Sequence, residues 1–337
     1  MRNDYWFNIA FRLRKVKRQG LKNLPLYGKV WLVFYYNDKI EEYVERTVGN
    51  IKEYIRLMRM HHYIKNFLVF AALACSGQLF CAEKFTAALI GFAAFCMLSS
   101  VIYIINDICD QEKDRCHPTK CNRPIASGRV SEKSACFLAI VLFLLTVFCD
   151  FLVFHAASSI LLVLYLILNL AYSFGLKNIP LVDVSILVSG FLIRVIFGAI
   201  VTGIVISNWL QLTVIALAFY FSLGKRRNEL KRGNVSSDTR KVLQYYSVDF
   251  LDKNMYMCLT LANVFYALWC MDADTSLRYG TSLVFTVPIV LLIMMKYSMH
   301  VEGDSDGDPV EVLLHDRGLL MLCFLYFLAM FIILYFK

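Results

Sequence analysis

"FCMLSSVIYIINDICDQEKD", residues 95–114, passes from eleven uncharged residues directly into three aspartates and a glutamate. A helix carried through this stretch to Asp114 places Asn106, Asp107, Asp110 and Asp114 at spacings of three, four and seven, on one face. Like charges at that spacing repel one another, so the arrangement calls for a cation among them. The donors are all oxygen, three carboxylates and one amide, which suits Mg²⁺, an ion that commonly completes its octahedron with substrate phosphate oxygens. A solvated helix end whose acids pair with Lys113 and Arg115 accounts for the same residues equally well.

The surrounding chain is built for lipid. Hydrophobic residues are 58% of the 337 and charged residues 18%, against about a quarter charged in a soluble globular chain; mean hydropathy is +0.56. Apolar stretches at 63–82, 86–106, 134–153, 156–174, 181–203, 208–223, 255–271, 279–295 and 318–336 each approach the roughly 20 residues that a helix needs to cross a bilayer. The expectation is an all-α, polytopic membrane protein with a bundle of nine transmembrane helices.

Charge in the gaps sets the orientation. Gaps two, four, six and eight carry 17 lysines and arginines, six of them in 107–133 and eight in 224–254; the other four gaps carry Lys84 and Arg278. By the positive-inside rule the basic gaps and the N-terminus face the cytoplasm and the C-terminus faces out, as an odd number of spans requires. This predicts a multi-pass protein of the plasma (inner) membrane with its acidic cluster on the cytoplasmic side.

Residues 1–55 form a basic N-terminal arm ahead of a membrane domain over 56–337. The arm has no spanning stretch, and "RLRKVKRQGLKN" lacks a cleavage pattern, so a cleaved signal peptide is not expected. Its lysines and arginines with Trp6, Phe7, Phe11, Trp31 and Tyr35 suit contact with anionic headgroups; a poorly ordered tail is the other reading. The chain's basic excess is then explained by topology and membrane lipids, with no nucleic acid required. Of eleven cysteines, Cys109, Cys116 and Cys121 lie with His117 in one basic gap, without the paired C-x₂-C of a zinc module.

Basic residues flank the acids. "RCHPTKCNRPIASGRVS" supplies Arg115, Lys120, Arg123 and Arg129, and "LGKRRNELKRG" sets Lys225, Arg226 and Arg227 side by side at the end of a span. Cations beside a metal cluster are what an oligophosphate requires; a positive-inside stop signal explains "KRR" without any chemistry. Arg194, in "GFLIRVIFGA", lies well inside a span, where an ionisable side chain costs roughly 2.5–3.5 kcal/mol on insertion scales and marks a candidate substrate contact. Asp183, eleven residues earlier on nearly the same face, offers a structural ion pair instead.

"NDICDQEKD" resembles the N-D-x-x-D-x-x-x-D motif of the UbiA superfamily of intramembrane prenyltransferases. With "MRMHHYIKNFLVF", "YSFGLKNIPLVDV", "LQYYSVDFLD" and "DPVEVLLHDRGLL", from about residue 56 onward, the chain is similar to its decaprenyl-phosphate phosphoribosyltransferase branch. The resemblance implies a nine-helix bundle that transfers 5-phosphoribose from phosphoribosyl diphosphate (PRPP) to a polyprenyl phosphate and releases diphosphate. It implies Mg²⁺ on Asn106, Asp107, Asp110 and Asp114, and phosphate or ribose contacts from Lys65, Asn66, Lys120, Arg123 and Lys177. Aromatic-ring prenyltransferases of quinone or haem biosynthesis resemble one another in a second D-x-x-x-D in gap six. Here that gap reads "KRRNEL", with the single acid Glu229. The departure favours a monophosphate acceptor held by Lys225, Arg226 and Arg227, with Asp249 and Asp252 as a reservation. The rivals are that aromatic prenyltransferase and a transporter or lipid-binding protein without catalysis.

Overall fold

The computed structural model describes residues 49, 51–153, 155–231, 241–303, 312 and 316–336. The proposed headgroup contacts of the arm lie outside these residues, as does most of "DPVEVLLHDRGLL". Residues 1–56 and 57–337 form two compact units; everything below concerns the second.

Every regular element among the described residues is a helix, with no strand. A 3₁₀ segment, Met60–Phe70, runs into α1 (Ala71–Cys75); α2 (Ala82–Cys109) and the short α3 (Gln111–Cys116) follow. Then come α4 (Glu132–Leu152), α5 (Ala156–Phe174), α6 (Val182–Thr202), α7 (Asn208–Lys231), α8 (Val248–Met271), α9 (Ala273–Tyr279), α10 (Val287–Glu302) and α11 (Arg317–Tyr335). Three of them are capped by a side chain: Ser131 of α4, Ser247 of α8 and Asp316 of α11 accept from the backbone N–H three residues on.

All nine predicted stretches are helical over most of their length, but six helices among the described residues are long and apolar enough to cross a membrane. They are α2, α4, α5, α6, the combined stretch Thr281–Glu302, and α11. The other three fall short for identifiable reasons. Predicted span 63–82 becomes the 3₁₀ segment and α1 and leaves the helix after Cys75. Helices α7 and α8 have 24 residues each, but Asn208, Gln211 and Lys225 in one and Asn254 and Asn263 in the other dilute their apolar content.

Which helices lie inside follows from small residues. Helix–helix association gains little from hydrophobicity in lipid, so close packing decides it. Helices α2 and α6 are each 61% buried, whereas α11 is 11% buried. At Gly198 of α6 a Cβ would stand 1.9 Å from the carbonyl oxygen of Val69, so glycine is what lets α6 lie against the 3₁₀ segment. Phe95, Tyr165 and Phe197 interlock edge-to-face between α2, α5 and α6. A second core, with Tyr220, Leu251, Met255 and Tyr297, joins α7, α8 and α10. Exposed Phe137, Phe151, Phe324 and Phe327 face outward, as lipid-facing positions do.

Candidate active site

Helix α2 ends at Cys109 and Asp110 caps it (φ −94°, ψ 6°) before α3 begins. The helical ladder survives that break. Asp110 N–H donates to Asn106 O at 2.9 Å and Asp114 N–H to Asp110 O at 2.8 Å, so the expected shared face is kept through a change of helix.

The cations called for by the clustered acids are, in part, guanidinium groups. Arg123 Nη1 donates to Asp107 Oδ1 at 3.0 Å and to Asp114 Oδ2 at 2.5 Å, bridging the two. Arg59 Nη2 donates to the same Asp107 oxygen at 2.6 Å, and Lys177 Nζ lies 3.4 Å from Asp110 Oδ2. Lys113 and Arg115, the neighbours in sequence, are exposed, and Arg115 Nε donates to Ala126 O. Asp107 and Asp114 are buried at 2% and 4% exposure, so their carboxylates depend on these arginines for partners, whereas the Lys177–Asp110 pair is partly exposed.

Arg59 carries no signal of its own within "MRMHHYIKNF", and the sequence assigned it no role. It adopts φ +53° and stands 5.0 Å above the Tyr103 ring. A non-glycine residue held in that region persists only where its surroundings fix it.

Among the described residues no three of His, Cys, Asp and Glu converge closely enough to hold a metal ion. Yet Asp107 and Asp114 share Arg123 Nη1, and the helical period puts Asn106 and Asp110 on their face of the chain. That all-oxygen donor set fits a hard divalent cation. In the following loop, Cys121 Sγ contacts Pro118 O at 3.4 Å and His117 Nδ1 accepts from Thr119 N–H at 3.2 Å.

The other predicted site residues separate into two groups. Lys65 and Lys225 are half-buried and Lys120 is exposed. Asn66, expected at a phosphate, is 1% exposed and instead accepts from Arg194 Nε at 2.7 Å. Arg194 also donates to Gly190 O at 2.6 Å and Tyr165 Oη at 2.7 Å, and lies over the Tyr165 and Phe95 rings. The arginine inside the span is thus satisfied by neutral oxygens and π faces, and its alternative partner Asp183 is engaged elsewhere.

That engagement is with Arg226, whose Nε donates to Asp183 Oδ2 at 2.7 Å and whose Nη1 donates to Glu229 Oε2 at 2.9 Å. Arg226 Nη2 reaches Tyr172 Oη at 3.3 Å. Arg227 pairs with Asp252 and donates to Val301 O at 3.1 Å. Both arginines are buried, at 1% and 4% exposure, where the sequence suggested a surface facing a phosphate or serving as a stop signal. Burying a guanidinium requires a partner, and α6, α8 and α10 supply one each. Asp249, by contrast, is exposed and pairs with Lys253 at 3.2 Å.

Comparison with known proteins shows the family and the fold. The model of the UbiA prenyltransferase family matches residues 66–302. The decaprenyl-phosphate phosphoribosyltransferase of Mycolicibacterium smegmatis is 34% identical over 285 residues, 80% of this chain and 88% of that protein. Its Corynebacterium glutamicum namesake is 33% identical over 278 residues, 80% and 82% of the two chains. A UbiA homologue from Archaeoglobus fulgidus, solved with GPP and Mg²⁺, superposes with a TM-score of 0.64 at 16% identity over 84% of this chain and 99% of its own. With its acidic helix end, its helical bundle and a family match across most of its length, the chain belongs to the UbiA prenyltransferase family.

Proposed function

We propose that this membrane transferase moves 5-phosphoribose from PRPP to a polyprenyl phosphate of the decaprenyl type, releasing diphosphate. The observation that carries the reading is the six-charge cluster of Asp107, Asp110 and Asp114 with Arg59, Arg123 and Lys177. Three acids and three bases in balance form a site that accepts a metal and an oligophosphate together, each taking the partners of opposite sign.

In the reaction the bond from the anomeric carbon to the diphosphate oxygen breaks, and a bond from the acceptor phosphate oxygen to that carbon forms. Asn106, Asp107, Asp110 and Asp114 would hold Mg²⁺, which when bound would supply charge neutralisation for the departing diphosphate. Arg59, Arg123 and Lys177, all partly exposed, hold its remaining charge as cations fixed in place before the reaction. Lys65 and Lys120 extend that positive rim. The acceptor phosphate is already anionic, so no general base is needed.

Gap six supports the monophosphate acceptor. Asp252 is taken by Arg227 and Asp249 pairs with Lys253 in solvent, so among the described residues of this gap these two carboxylates are already engaged. Lys225 is the outer cation for the acceptor phosphate, with Arg226, Arg227 and Glu229 forming its paired base. Asn66 and Arg194 shape the bundle interior behind the site.

The test is detergent-purified protein with Mg²⁺, labelled PRPP and a polyprenyl phosphate. Lipid-soluble labelled ribose, lost on chelation, is the expected product. No such product, with turnover instead of a prenyl diphosphate onto an aromatic acceptor, would assign the chain to the aromatic branch. The cytoplasmic placement of the site has its own check, in a background lacking the exposed Cys81, Cys109, Cys116 and Cys136. Lys120→Cys and Lys231→Cys should react from the cytoplasmic side and Arg278→Cys from the opposite side. Labelling of all three from one side overturns the nine-span topology.

A further inference from the structure

Lys177 approaches Asp110 from the loop between α5 and α6, a loop that ends in a conformation leucine disfavours. Leu181 has φ +66° and ψ −35°, and a non-glycine residue there is strained unless its surroundings hold it. They hold it through a chain of short hydrogen bonds. Leu181 N–H donates to Tyr246 Oη at 2.7 Å, and the Tyr246 hydroxyl donates to Asp183 Oδ1 at 2.7 Å. Asp183 Oδ2 accepts from Arg226 Nε, also at 2.7 Å.

Each link is protected. Asp183 is wholly buried and Tyr246 is 7% exposed, so water competes for neither, and successive bonds that end on an ion pair polarise one another. Burial pushes the Tyr246 hydroxyl up to about 12, which keeps it protonated and donating at any working pH. From Leu181 the constraint runs back along the loop. Asp183 N–H donates to Ile179 O at 3.2 Å, Ile179 N–H to Leu176 O at 3.1 Å, and Asn178 N–H to Gly175 O at 3.0 Å. Lys177 sits in the middle of that 3₁₀ turn, Leu176–Asn178, which also packs on the turn Lys241–Tyr245 that leads into Tyr246.

We infer that Tyr246 is a positioning residue for Lys177: by holding the strained Leu181 N–H it fixes the loop that delivers the lysine to the acidic site. The inference rests on the proposed role of Lys177 at the diphosphate. It predicts that a residue 69 positions beyond Lys177 in sequence affects PRPP binding through that lysine.

Tyr246→Phe keeps the ring and removes the hydroxyl. Its KM for PRPP should rise about tenfold, the size of one lost hydrogen bond to a charged group, while the KM for polyprenyl phosphate stays put. Lys177, now less tethered, should be acylated by a lysine-directed reagent about threefold faster, read by mass spectrometry without any substrate. Adding Leu181→Gly relieves the strain that Tyr246 offsets, since glycine accepts positive φ freely. The Tyr246→Phe/Leu181→Gly protein should therefore regain both the PRPP KM and the slow labelling. An unchanged KM and labelling in Tyr246→Phe overturns the inference, as does a double variant worse than the single one. If Tyr246→Phe does not fold, the double variant decides: a folded protein with slow Lys177 labelling supports the role, and failure to fold rejects it. Should the wild-type protein not use PRPP at all, the labelling still judges the positioning role while the proposed function fails by itself.

Discussion

Asp110→Asn should lower ribose transfer by at least about a hundredfold while leaving the protein's unfolding midpoint nearly unchanged. The activity loss has the magnitude seen when a preorganised electrostatic group is removed from a reacting centre. Stability is spared because of where Asp110 sits. Its side chain is 20% exposed and its ion pair with Lys177 spans 3.4 Å, a contact worth about 0–1 kcal/mol. Asp107→Asn is the informative contrast. That carboxylate is buried between Arg59 and Arg123, so its loss strips a partner from two arginines and weakens fold and turnover together. The measurement is initial rate at saturating Mg²⁺ beside a thermal melt in detergent. Turnover near wild type in Asp110→Asn would remove the metal assignment for this face.

The largest stability effect is expected at Asp183. Asp183→Ala removes the fully buried carboxylate of Arg226 and leaves it only the partly exposed Glu229, and breaking a buried pair from one side costs about 3–5 kcal/mol. Arg226→Gln should cost a similar amount, because it strands an aspartate of 0% exposure. Removing both charges, as in Asp183→Leu/Arg226→Met, should cost less than the two single changes added together, since neither charge is then left unpaired. Reversible unfolding of the four proteins in mixed micelles measures this. Additive losses would show that the two side chains do not stabilise the bundle as a pair. The stability effect also changes what is expected of Arg226 kinetically. Read from the sequence, "KRR" predicts altered affinity for the lipid phosphate; buried as it is, Arg226 acts first on the packing of α6 against α7, and Lys225 is the better probe of the acceptor.

Much of the site was legible because it is local. Asn106, Asp107, Asp110 and Asp114 lie within nine residues, and a helical period is enough to put them on one face, even across the break at Asp110. The basic stretch after them was legible for the same reason, and Arg123 does close on the acids. Arg59 was not: it lies 48 residues from Asp107, and one basic residue ahead of an apolar stretch reads as topology.

By itself, the sequence determined an all-helical membrane protein, the positions of its helices, its family and the acidic face on which a metal-dependent chemistry is proposed. Composition, helical period and the sign of charge between spans are properties of consecutive residues, and they survive any choice of neighbouring helix. Only the tertiary structure decided the partners of the buried charges. Arg194 finds Asn66 128 residues away, Arg226 finds Asp183 43 away, and Tyr246 joins Asp183 to the backbone of Leu181. Period shows which way a side chain points from its own helix; which helix stands opposite is set by close packing, as at Gly198 on Val69, and by the need of each buried charge for a partner.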